Sequence, residues 1–169
     1  MKIVNKISPC LWFDGNAQEA VNFYVSIFKN SKILNTTYYG ESVGKAHGIP
    51  KESILCVSFK LDGQEFLALN GGPMYKFTEA ISLMVACKNQ REIDYFWEKL
   101  SKGGDKKAQA CGWLKDKFGL SWQIYPSMMT EVFKDKDPEK IDRYMVALMR
   151  MKKLDMKTLE KAYRSNKNR

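Results

Sequence analysis

The chain has 169 residues, 44% of them hydrophobic and 12% aromatic, enough for one compact domain or two small fused modules and too apolar for a disordered chain. Its net charge of +9 is mostly local, because residues 134–169 hold twelve Lys/Arg against six Asp/Glu and so supply +6 of it. Four widely spaced cysteines, Cys10, Cys56, Cys87 and Cys111, exclude a zinc knuckle and a disulfide-dense scaffold and read as buried reduced thiols.

Residues 7–13 read as a strand, with Pro9 marking an edge or a first position. Asn16 with Glu19 matches a capping box, and Ala17, Ala20, Val21, Tyr24 and Phe28 fall at helical spacing before Asn30-Ser31 closes the helix. Lys32 to Tyr39 is a second strand and Gly40 to Ser53 a loop. Ile54–Leu61 and Gln64–Asn70 form a hairpin across Asp62-Gly63, a strong turn signal. The pattern then restarts. Ile81 to Cys87 is a strand, and Asn89 with Glu92 opens a helix carrying Ile93, Phe96, Trp97 and Leu100, stopped by Gly103-Gly104. Strands at about 106–111, 112–116 and 120–125 complete a second unit, with Lys115-Asp116-Lys117 as a solvated crest.

The chain thus reads as an α+β protein of two βαβββ modules, about 1–72 and 80–126, forming one domain over 1–126, with a C-terminal helical extension over 127–169. In that extension Ser127–Lys134 is helical, Asp137-Pro138 caps a second helix and Asp155 a third over Met156–Arg164. Met145, Leu148, Met149, Met156 and Leu159 make apolar faces for core or subunit packing. No apolar run of about eighteen residues and no signal-peptide pattern is present, so a cytoplasmic protein without membrane partners is expected. The basic tail lacks a stacking platform or groove-reading helix, which argues against nucleic acid.

Alternation along the strands separates two faces. Leu11, Phe13, Leu55, Val57, Phe59, Leu61, Leu67, Leu69, Ile81, Leu83, Val85, Trp122 and Ile124 fall on one parity, to pack under helices. The opposite parity carries Ser8, Cys10, Trp12, Cys56, Ser58, Phe66, Ala68, Asn70, Ser82, Met84, Ser121, Gln123 and Tyr125. So few charges do not suit an exposed sheet face; the mixture suits a small-molecule cleft, or a face filled by the C-terminal helices or a second subunit.

The opening ISPCLWFDGNAQEAVNFY, the LDGQEFLALNGG hairpin, the GWLKDKFGLSWQIYP strand and the KKLDM tail together resemble one family. It is the PhnB-like branch of the vicinal oxygen chelate superfamily, with the glyoxalase and bleomycin-resistance fold, often labelled 3-demethylubiquinone-9 3-methyltransferase-like. The resemblance implies a half-barrel of paired modules and a homodimer. Enzymes of the superfamily hold a divalent metal on four inward-facing strand positions, which carry over to Ser8, Ala68, Ser82 and Gln123; only Gln123 offers a ligand to a hard cation.

No metal set, no catalytic set and no cofactor site is therefore expected. His47, the single histidine, reads as a surface loop residue, and Cys10 with Cys56 supply two thiols, too few for a soft-metal site. Asn70-Gly71-Gly72-Pro73 is not followed by a helix, unlike a nucleotide-binding glycine turn. The first reading is a homodimer that binds a small, flat or amphipathic molecule in a metal-free cleft lined by Trp12, Tyr38, Asn70, Trp113, Gln123 and Tyr125. Two alternatives stand beside it: a metal-dependent lyase, dioxygenase-like enzyme or methyltransferase, and a structural or regulatory dimer without a ligand.

Overall fold

The computed structural model describes residues 6–165 and groups the chain into two units, one running to Lys76 and the other starting at Phe77. In the first, β1 (Cys10–Phe13), β2 (Lys32–Tyr38), β3 (Ile54–Leu61) and β4 (Gln64–Asn70) form a sheet in the order β1-β4-β3-β2. β1 is parallel to β4 and the other neighbours are antiparallel. Pro9 stands just before this edge strand, where its missing N–H interrupts no ladder, and its carbonyl accepts from the Leu67 N–H at 3.0 Å.

The helix α1 (Ala17–Ile27) packs against β3 and β4, burying Ala17, Ala20, Val21, Tyr24 and Ile27. Ile27 replaces Phe28 in the expected stripe. The expected capping box does not form, since Asn16 makes no side-chain cap. Instead Asn70, arriving at the end of β4, accepts the Ala17 N–H on Oδ1 at 2.9 Å, so the cap comes from 53 residues away. The expected loop after β2 contains a short helix, α2 (Glu41–His47), which ends where Gly48 turns left-handed. The His47 side chain lies outside the described residues.

The hairpin between β3 and β4 corrects one reading of the faces. Asp62 and Gly63 both have positive φ, 45° and 85°, as a two-residue type I′ turn requires. That turn sets Leu61 opposite Gln64, so odd-numbered residues of β3 share a face with even-numbered residues of β4. Phe66, Ala68 and Asn70 therefore join Val57, Phe59, Leu11 and Phe13 on the buried face, while Leu67 and Leu69 join Cys10, Trp12, Cys56 and Ser58 on the other.

In the second unit, β5 (Leu83–Cys87), β6 (Trp113–Lys115) and β7 (Ser121–Pro126) form a sheet in the order β5-β7-β6, parallel between β5 and β7 and antiparallel between β6 and β7. The helix α3 (Gln90–Ser101) covers it, with Ile93 and Leu100 buried. Here Asn89 does cap the helix, accepting the Glu92 N–H, and Glu92 reaches back one residue past the cap to accept the Lys88 N–H at 2.8 Å. The strand expected at 106–111 is instead a 3-10 turn, Lys106–Ala108, closed by Asp105 accepting the Lys107 N–H at 2.8 Å; only an isolated bridge from Ala110 to Trp113 remains.

Asp116 is the second correction. It is 2% exposed, not a solvated crest residue: Oδ1 accepts the N–H groups of Phe118 and Leu120, and Oδ2 accepts the Trp122 indole N–H at 2.8 Å. A buried carboxylate needs such donors, and here they close the turn between β6 and β7.

After β7 come α4 (Met129–Val132), α5 (Pro138–Met149) and α6 (Met156–Arg164), the first shorter than expected. Asp137 caps α5 with Pro138 in its first turn, and Asp155 caps α6. Met129, Val132, Tyr144, Leu148, Leu154 and Leu159 form their core, with Cys111, Tyr125 and Met145 against it. Met149 points outward, 68% exposed. Backbone bonds from Cys111 N–H to Met151 O (2.7 Å) and from Gly112 N–H to Lys152 O (2.8 Å) hold the helices to the sheet. Gln90 adds a clasp, donating to Leu154 O and accepting the Met156 N–H.

Three carboxylates around these helices sit below their ordinary value of 3.8: Asp94 chiefly through the Lys153 hydrogen bond, Asp135 through that of Tyr163, and Asp155 through its cap to Thr158. A depressed carboxylate stabilises the fold above its unfolded value, and that stability is lost as pH falls through the lower folded value. Melting temperature is accordingly expected to fall as pH drops through and below the ordinary carboxylate range, modestly because Asp94 and Asp155 are largely solvated. Replacing Asp94 by Asn should flatten part of that slope, and a melting point independent of pH over this range would contradict it.

Candidate functional site

Each sheet has one face covered by its helix and one left free of that helix. In the first unit the free face carries Cys10, Trp12, Cys56, Ser58, Leu67 and Leu69. Trp12 is fixed in place. Its indole N–H donates to Gly72 O at 2.8 Å, and its ring lies so close over Gly71 that a Cβ there would sit 2.2 Å from it. Tyr75 meets the ring edge-on, with centroids 4.9 Å apart. With its N–H engaged, Trp12 offers a π-surface rather than a donor. Tyr38 ends β2 and is 55% exposed. Asn70 faces the helix side, and both ends of its amide are occupied, Oδ1 by Ala17 N–H and Nδ2 by Ile54 O at 2.9 Å. Of the four cysteines expected to be buried only Cys87 is so; Cys10 is exposed, and partial desolvation, then the neighbouring Cys56, raises its thiol pKa, which leaves it a poor nucleophile.

In the second unit the free face is a grid set by register. Met84, Gln123 and Trp113 align across the three strands, followed by Ala86 beside Tyr125. Met84 is 53% exposed, Trp113 and Gln123 are half-buried, and Tyr125 packs against the helical core. Gln123 Nε2 donates to Ser82 Oγ at 2.7 Å, leaving Oε1 without a partner among the described residues. Lys115 and Glu79 form an ion pair, and the hydrogen bond from Lys115 holds the Glu79 carboxyl below its ordinary range. Sequence reasoning had placed Gln123 and Ser82 on this face; it missed the ion pair, which bridges residues 36 positions apart, and it missed Tyr75.

The metal positions carried over from the superfamily do not suit a metal. Ala68 has no donor and is buried beside Val57, and Ser82 and Gln123 bond each other. Among the described residues no group of three or more His, Cys, Asp or Glu could hold an ion. The glycine turn after β4 does not suit a nucleotide either, since Trp12 occupies both Gly71 and Gly72.

Two small sheets each backed by a helix are the architecture of the glyoxalase and bleomycin-resistance type, and solved structures agree. The fosfomycin resistance protein FosX from Listeria monocytogenes matches with a TM-score of 0.52 at 14% identity, over 79% of this chain and 100% of that one. A Pseudomonas aeruginosa protein matches at 0.57 and 19% identity, over 73% of this chain and 98% of the other. These two show the fold alone. Residues 5–125 match the model of the 3-demethylubiquinone-9 3-methyltransferase family, and the chain belongs to that family. The PhnB protein from Bacillus cereus is 36% identical, with a TM-score of 0.62, over 72% of this chain and 99% of its own. No curated protein matches the chain. The family match ends at Tyr125, so α4–α6 lie beyond it. No helix among the described residues is long and apolar enough to cross a membrane.

Proposed function

We propose that the chain is a cytoplasmic, homodimeric small-molecule-binding protein whose ligand, small and flat or amphipathic, lies without a metal against the face of the second sheet that α3 does not cover. One observation carries the reading: Gln123, on a mostly apolar and partly open grid, has one amide end fixed by Ser82 and the other without a partner among the described residues. Ligand sites combine an apolar wall with a few orienting polar groups in this way. Within the second unit Trp113 and Tyr125 supply aromatic surface beside Gln123, with Tyr125 also packed against the helical core.

Two measurements test this. Protein purified without chelator or affinity metal should contain no stoichiometric transition metal, and a near-stoichiometric content would return the superfamily's metal chemistry to the centre. Gln123→Ala should weaken a ligand found by library screening about tenfold, the worth of one hydrogen bond of about 1.4 kcal/mol, while leaving the melting temperature within a degree or so. A drop of several degrees would mark Gln123 as structural and set the reading aside.

A further inference from the structure

Ser121 is 1% exposed and its hydroxyl has no hydrogen-bond partner among the described residues. Buried hydroxyls are mostly satisfied, so an unpartnered one beside a candidate site is open to a hydrogen bond from a ligand. Its surroundings define that ligand. Lys115 lies directly opposite Ser121 on β6, and extending the β5–β7 register by one residue places Ser82 beside it on the other side. Ser82, Ser121 and Lys115 thus form a polar row across the second sheet, at neighbouring strand spacings of about 4.8 Å. The next row along the same face is Met84, Gln123 and Trp113, and beyond it come Ala86 and Tyr125. One end of the face carries two hydroxyls, that of Ser121 buried, and an ammonium; the rest is a mostly apolar, partly aromatic bed.

The geometry points to an amphipathic carboxylic acid as the ligand, its carboxylate on Ser82, Ser121 and Lys115 and its flat apolar body over Met84 and Trp113, a specificity that rests on the binding reading above. Lys115 already holds a carboxylate, that of Glu79, whose side chain is 62% exposed on an irregular segment ahead of β5. Glu79 is a place-holder: it neutralises Lys115 in the free protein and yields its place to the incoming carboxylate, which also satisfies the Ser121 hydroxyl. Charge-assisted bonds from an ammonium and two hydroxyls favour a carboxylate over a neutral amide of the same shape.

The test compares 1-naphthylacetate with 1-naphthylacetamide by calorimetry or NMR titration on the full chain. The acid should bind at least about tenfold more tightly, the scale of one charge-assisted bond. Lys115→Met should bring the ratio to about one, and Ser121→Ala should weaken the acid severalfold without lowering the melting temperature, because it removes an unsatisfied group. Glu79→Gln should strengthen acid binding severalfold by removing the competitor. Equal binding of acid and amide, or weaker acid binding by Glu79→Gln, overturns the carboxylate assignment while leaving small-molecule binding in place. A fall of several degrees in Ser121→Ala shows that the hydroxyl serves the fold, and this also overturns the assignment. Absence of binding by both probes sinks it as well, and the library screen then decides the broader reading separately.

Discussion

Trp122→Ala is expected to lower stability by about 3–5 kcal/mol, the range for emptying a buried aromatic site. Trp122 is 2% exposed and among the largest fully buried side chains, flanked on its face by Leu83 and Leu114 in the ladder. Its neighbours are strands and cannot collapse far into the space it leaves, which favours the upper half of that range. For a chain of this size each kcal/mol moves the melting temperature by roughly 2–4 °C, so thermal denaturation reads the change directly. Trp122→Phe keeps most of the volume and removes the bond to Asp116; a loss of about 1.5–3 kcal/mol would fit one hydrogen bond to a charged acceptor. An unchanged melting point for the alanine variant would put Trp122 on the open face and invert the alternation of β7.

Asp116→Ala is expected to cost about 3–4 kcal/mol by another route. The substitution removes no large volume. It leaves the N–H groups of Phe118, Leu120 and the Trp122 indole without their acceptor, each an unsatisfied donor costing about 1–3 kcal/mol before local relaxation. Asp116→Asn keeps one acceptor oxygen and should lose roughly half as much. Because Asp116 and Trp122 share a bond, the double variant Asp116→Asn/Trp122→Phe should cost less than the two single losses added together. A loss below about 1 kcal/mol for Asp116→Ala would return Asp116 to the role of a solvated turn residue.

The two capping boxes show where reading a sequence works and where it stops. Asn89 with Glu92 and Asn16 with Glu19 have the same spacing, but only the first pair caps its helix. At the second, Asn70 had already taken the Ala17 N–H, and no local pattern announces a partner 53 residues distant. The Asp62-Gly63 turn is the opposite case. Its type I′ geometry already dictates that Leu61 faces Gln64, so the true faces of β4 were legible, and reading Leu67 and Leu69 as core came from following apolarity instead of the turn.

The site divides along the same line. Ser82 and Met84 follow from alternation along one stretch of chain, and the period of two puts them on one side of it, while Gln123 joins that side through the β5–β7 register. The family likewise followed from short motifs, since the residues that make turns and strand ends are contiguous. Cross-strand register was needed to place Ser121 beside Lys115 and to fix Trp12 on Gly71 and Gly72. Each of these depends on which strands become neighbours. Local periodicity sets helix and strand type and the side to which a residue points; the partner of a buried polar group such as the Asn70 amide is settled when distant segments meet, because burial makes an unmet hydrogen bond costly.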